Sequence, residues 1–381
     1  MNIVCPDRKN FNQTLKDAQD DSFNFIVVVT AALDLSNIGK LKILLDECVR
    51  VLKNEGVLFV QGRPEYLPEL GVHLDQSLKF KYWIAIESQL QQKESGLPSV
   101  HAAVLLFTKG KGRFHVKRTR FPHQPCSFCE RTLKDWGGKS HLMHPDGYVI
   151  SDVWKDLPEA DNYSQLSKPV LEAILRMLEL ESSEKGSDIS HRGTDLFQQL
   201  NIHVPVDAVK GLIGPKEGIE VDGSVAEATV QYKFPGFIGQ QKKYNDVTDN
   251  VETEVSASKL FNVVHHGDAV KILRQYPNNS IDLVFADPPY NLDKEYHVYD
   301  DERADEEYVK WCNAWLGEYA RVLKPTGSLY VLNLPHWTMY HAAFLNQRLY
   351  FQNWIVWDAM AMPLGKVMPA HYGLLFYAKN P

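Results

Sequence analysis

Two short apolar runs interrupt an otherwise mixed pattern, Phe23 to Val29 and Ile281 to Ala286, and each has the length of a buried strand. The second stops at Asp287-Pro288-Pro289-Tyr290, where two prolines can neither donate to a ladder nor continue a helix. It therefore delivers a carboxylate, rigid carbonyls and an aromatic ring to its C-terminal edge, where open α/β sheets place ligands. His265-His266-Gly267-Asp268 and Pro277-Asn278-Asn279-Ser280 lead into this strand. After a polar loop, the pattern predicts an amphipathic helix ending in Arg321-Val322-Leu323-Lys324-Pro325-Thr326-Gly327, then a strand from Ser328 to Leu332.

The pattern occurs twice. Residues 47–60, Glu-Cys-Val-Arg-Val-Leu-Lys-Asn-Glu-Gly-Val-Leu-Phe-Val, match residues 318–331, Glu-Tyr-Ala-Arg-Val-Leu-Lys-Pro-Thr-Gly-Ser-Leu-Tyr-Val, at a constant offset of 271. That offset also pairs Leu78 with Leu349, Phe80 with Phe351 and Trp83 with Trp354, and one residue less pairs His101 with His371 and Lys109 with Lys379. Shared composition does not hold a register over such a length, so the chain contains two copies of one α/β unit. They diverge where chemistry would sit. Val29-Thr30-Ala31-Ala32 occupies the place of Asp287-Pro288-Pro289-Tyr290, and the second copy carries about thirteen extra residues within Asp293 to Glu307. Loops at that edge usually carry function.

At 381 residues there is room for about two domains, and the net charge of −7 requires any nucleic-acid contact to come from a local basic patch. No apolar run reaches spanning length and the N-terminus has no signal-peptide build, so the expected setting is cytoplasmic, with no membrane partner. Five scattered cysteines fit a reducing compartment better than a disulfide framework.

An exocyclic amine of a nucleobase is a poor nucleophile because its lone pair is conjugated into the ring. A site that uses it must accept hydrogen bonds from its N–H groups. Asp287 and the Pro288 carbonyl can do that, and Tyr290 can stack on a base rotated out of its duplex. The plain alternative for four such letters is a proline-stiffened turn. The motif and the order of elements around it resemble the amino-methylating DNA methyltransferases, in the arrangement where the catalytic motif precedes the cofactor-binding glycine motif. The resemblance implies two partial Rossmann-like units in tandem and S-adenosylmethionine as methyl donor. It makes Asp287, Pro288, Pro289 and Tyr290 the catalytic set, adenine the favoured base over cytosine, and Asp268 a candidate cofactor contact.

The first copy runs on into a basic stretch in which Lys111, Arg113, Lys117, Arg118 and Arg120 are candidate contacts to double-stranded DNA. A solvated charged surface is the alternative. Cys126, Cys129, His141 and His144 could then close a structural zinc site, although both spacings are tighter than in the usual finger. The alternative there is a cysteine knuckle with the histidines on DNA or on a carboxylate. Gly147 to Trp154 and the helix opening Ser167-Lys168-Pro169 resemble the end of the family's recognition region and the helix that precedes its cofactor motif.

The expected glycine motif does not follow. The chain reads Glu184 to Gly193 instead, and Phe234-Pro235-Gly236-Phe237-Ile238-Gly239 reads as a turn. The organisation expected is therefore a degenerate methyltransferase-like unit over 1–181 with its recognition region at 110–155, a linker module over 182–257, and a catalytic-motif half over 258–381. On this reading a second polypeptide supplies the missing cofactor motif, or the chain is a truncated or decayed enzyme. The other function class is a DNA-binding subunit with no catalysis of its own.

Overall fold

The structure, a computed structural model, describes residues 15–30, 37–88, 101–111, 116, 118–121, 123, 144–159, 166–178, 260–292, 295–296, 299–359 and 366–381. The expected linker module at 182–257 lies outside them. In chain order the elements are β1 (Phe23–Val29), α1 (Ile38–Val51), β2 (Leu52–Gly62), α2 (Leu67–Asp75), β3 (Lys79–Ser88), β4 (His101–Thr108), β5 (Arg120–Phe121), β6 (Tyr148–Val149), β7 (Val153–Glu159) and α3 (Lys168–Met177). They continue with α4 (Ala269–Leu273), β8 (Ile281–Ala286), β9 (Glu295–Tyr296), β10 (Tyr299–Asp300), α5 (Asp305–Val322), β11 (Leu323–Asn333), α6 (Pro335–Leu345), β12 (Tyr350–Asp358) and β13 (His371–Ala378).

Local chemistry marks several helix ends. Asn37 caps α1 by accepting from the Gly39 N–H at 2.7 Å, and Ser167 caps α3 by accepting from Val170, with Pro169 in the first turn. The longest helix, α5, opens on Asp305-Glu306-Glu307 and closes near Arg321, the charge order that its dipole favours. Among the described residues no helix is long and apolar enough to cross a membrane.

The repeat is visible in hydrogen bonding. One sheet runs β1-β2-β4-β3-β7 and the other β12-β13-β11-β8, so β1, β2, β4 and β3 correspond to β8, β11, β13 and β12. In each, the first pair is parallel and the next two antiparallel. The sheets are thus mixed, as the α/β expectation allows. Registers agree residue for residue: Phe25 pairs Val57 as Leu283 pairs Ser328, and the bulge between Phe80 and Tyr82 recurs between Phe351 and Asn353. Matching side chains do matching work. Arg50 donates to the carbonyls of Leu15 and Ala18 and to Glu47, and Arg321 donates to those of Leu273 and Tyr276 and to Glu318. Lys109 and Lys379 each tie off the end of a helix through three backbone carbonyls.

The two units share one apolar core and meet through equivalent residues. Equivalent tryptophans Trp83 and Trp354 stack with centroids 4.6 Å apart. Asp75 of α2 accepts from the His336 ring and the Tyr340 hydroxyl, both at 2.7 Å, while its counterpart Asn346 donates to the carbonyl of Glu65, the counterpart of His336. Burial pushes the Asp75 carboxyl up, but His336 and the other donors outweigh it and hold the group below the usual range. The helices come so close that a Cβ on Gly71 would lie 2.2 Å from Met339 Sδ. A second core lies on the outer face of the first sheet, where α3 covers β1, β2, β3 and β4.

Candidate active site

β8 sits at one edge of its sheet and runs parallel to β11, and the chain leaves it through Asp287-Pro288-Pro289-Tyr290. The Asp287 side chain is exposed, and its Oδ1 accepts a hydrogen bond from the Tyr290 hydroxyl at 2.6 Å. This bond aims the carboxylate while leaving Oδ2 open. The carbonyls that follow are gripped from the core: the Tyr308 hydroxyl donates to Pro289, and the Trp337 Nε1–H donates to Tyr290 at 2.9 Å. Among the described residues none donates to the Pro288 carbonyl.

The grip rests on a buried polar chain. The Asn333 side-chain amide donates to the Tyr308 hydroxyl at 3.1 Å and to His341 Nε2 at 2.9 Å, and its oxygen accepts from the Leu334 N–H. Burial pulls His341 down to about 3, so the ring is neutral and Nε2 is free to accept. Burial pushes the nearby Cys312 thiol up to about 12, which keeps it an inert neutral group.

The inserted residues brace the far side of the motif. Asp301 is buried, 2% exposed, and its two carboxylate oxygens each accept one backbone N–H, from Asn291 and from Leu292, at 3.0 Å. Asn291, in the left-handed region at φ 57°, exchanges two hydrogen bonds with the backbone of Arg303. A short antiparallel pair, β9 with β10, closes the insertion. The Tyr290 ring lies 5.6 Å from Tyr372, which lies 6.1 Å from Trp357.

The four motif residues are therefore brought together. The Asp268 side chain instead caps α4, its Oδ1 accepting from the Lys271 N–H at 2.9 Å. Of the basic residues, Lys111 and Arg118 are exposed, Arg120 is committed to the Gly147 carbonyl at 2.8 Å, and Arg113 and Lys117 lie outside the described residues. Cys126, Cys129 and His141 lie outside them too. His144 is exposed and its Nδ1 accepts from the Asp146 N–H, and among the described residues no cluster of three metal-ligating side chains occurs. Sequence reasoning missed Asp301, Tyr308, Asn333 and Trp337. The inserted length was the one signal pointing at Asp301. The other three carry none, because they resemble ordinary helix and strand residues.

In the first unit the equivalent strand end is closed. Val29 and Thr30 are buried, and the Thr30 hydroxyl bonds to the Gln61 carbonyl at 2.8 Å and to the Tyr66 hydroxyl at 3.1 Å. Tyr66 is the counterpart of Trp337.

Comparison with known proteins adds an independent line. A family model described as DNA methylase matches residues 38–214 and 281–381. Over 120 residues the chain is 41% identical to the type II methyltransferase M.BamHI of Bacillus amyloliquefaciens, covering 31% of this chain and 28% of that protein. It is 38% identical over 119 residues to M.HpaI of Haemophilus parainfluenzae, covering 30% of this chain and 38% of that one. A DNA adenine methyltransferase of Escherichia coli, YhdJ, is 40% identical over 68 residues, covering 18% and 23%. The chain thus spans well under half the length of these relatives.

Proposed function

Since the chain belongs to the DNA methylase family, whose amino-methylating members set the frame, we propose that residues 281–381 form the base-accepting half of a site that methylates an exocyclic amino group of DNA. The observation that carries this is the open acceptor pair at the end of β8. Asp287 Oδ2 and the Pro288 carbonyl can take the two N–H groups of an amine and so turn its lone pair out of conjugation. The neighbouring carbonyls are pinned by Tyr308 and Trp337, so little reorganisation is needed when the base arrives. Tyr290 offers a ring face for a base taken out of its stack.

The base on this reading is adenine, supported by the aspartate in the first position of the motif and by the similarity to an adenine methyltransferase. Double-stranded DNA is the partner, met in part by the exposed Lys111 and Arg118. S-adenosylmethionine is the methyl donor and supplies an activated methyl group. Asp268 would be one contact to it, since capping α4 occupies its Oδ1 alone and leaves Oδ2 exposed. The role derived for this half is to bind, orient and desolvate the amine.

The test is transfer of labelled methyl groups to unmethylated DNA by the chain and by Asp287→Ala, with DNA binding measured beside it. Loss of transfer with binding kept supports the reading. Unchanged transfer in the variant sinks it, and DNA binding without any transfer by either protein favours a binding subunit.

A further inference from the structure

The chain leading into β13 belongs to the second unit but is fastened by the first. Val367 is fully buried in the outer core of the first sheet, and its carbonyl accepts from the Tyr82 hydroxyl at 2.9 Å. The Met368 N–H donates to the Ile150 carbonyl at 2.9 Å, and the Met368 carbonyl accepts from the Asp152 N–H at 3.0 Å. The Asp152 carboxylate completes the fastening. It is buried, its Oδ1 accepts from the Ala370 N–H at 2.7 Å, and its Oδ2 lies 3.1 Å from Nδ1 of the buried His371.

A carboxylate is costly to bury, and Val367 already supplies an apolar grip. What Asp152 adds is direction. Ala370 and His371 lead straight into Tyr372, whose ring lies 5.6 Å from that of Tyr290, and the Tyr290 hydroxyl donates to Asp287. Fixing the residues that open a strand fixes the side from which the next side chain projects. The first unit reaches the same tyrosine by a second route: Asp75 accepts from His336, the neighbour of Trp337, which donates to the Tyr290 carbonyl. We infer that Asp152 is a positioning residue, through which the first unit holds Tyr372 against Tyr290 and so sets the ring that meets the base. The unit whose own strand end is closed thus shapes the site of its twin. This inference rests on the role proposed for Tyr290.

The test uses the whole chain labelled with fluorotyrosine, in which the Tyr290 fluorine resonance is the one missing from Tyr290→Phe. Asp152→Ala should shift or broaden that resonance, and Asp152→Asn, which keeps an acceptor for Ala370, should restore it. Val51→Ala, a core loss near the opposite end of β1, should leave it in place. Methyl transfer by Asp152→Ala should fall about tenfold or more with DNA binding kept. An unmoved resonance in Asp152→Ala overturns the inference. Equal movement in Val51→Ala overturns it in favour of general loosening, and a moved resonance with unchanged transfer overturns it as well. Should Asp152→Ala not fold, Tyr82→Phe decides through the same resonance, movement supporting the inference and its absence overturning it. Absence of transfer by the unaltered chain counts against the proposed function, and the resonance then decides this inference by itself.

Discussion

β1 and β8 occupy the same place in two copies of one unit, and their ends have opposite fates. In the first, Val29 and Thr30 are sealed by Gln61, Tyr66 and the helix above. In the second, the counterpart positions carry Asp287 and Pro288 and open to solvent, and the polar bonds that seal the first unit are replaced by Tyr308 and Trp337 gripping backbone carbonyls. The scaffold is thus indifferent to what its strand end presents. The first unit presents apolar and hydroxyl groups at that edge and packs against its twin all the same.

The broadest challenge to this comparison is to split the two units. Trp83→Ala or Trp354→Ala should each cost about 3–5 kcal/mol in denaturant unfolding. Because the two rings share one contact, the double variant should cost less than the two together. Additive losses or two separate transitions would show that the units fold independently. Next in size is the contrast between strand ends: Asp287→Ala should slow methyl transfer about a hundredfold or more, and Val29→Ala should leave it unchanged. Single-turnover labelling of DNA decides this.

Acid should weaken the two units through different histidines, His341 in the second and His101 in the first. His341, whose counterpart is Leu70, titrates at about 3 when folded against 6.5 in the unfolded chain, and His101 at about 4. The unfolded state therefore binds the protons first, so stability present above pH 6.5 is lost as pH falls, by about 1.4 kcal/mol per unit for each histidine. Thermal unfolding between pH 7 and 5 should show the slope, and His341→Gln should flatten it by one proton. The smallest effect is expected at the sealed end. Thr30→Val removes two hydrogen bonds and should cost about 1 kcal/mol with no change in methyl transfer, measured by urea unfolding and the same labelling assay.

Several features were legible in the chain alone. The offset of 271 anticipated the shared registers, because a strand's pairing is fixed by the alternation that survives in both copies. Two prolines after an apolar run announced the end of β8, since neither can extend a ladder or a helix. The inserted residues after the motif marked the place of Asp301 without showing that its carboxylate would turn inward. The mixed strand order was not legible, for pairing direction depends on connections that the periodicity does not encode.

What the sequence by itself determined is therefore the duplication, the divergence at one strand end and the residues that stand there. These are local properties, carried by residue type and spacing. Tertiary structure alone decided that Trp337 and Tyr308 hold the carbonyls, that Trp83 meets Trp354, and that Phe25 is buried while its counterpart Leu283 is exposed. Leu283 and Phe25 belong to equally apolar strands, and their depth differs because burial depends on what lies above a side chain, which is contributed by chain far away in sequence.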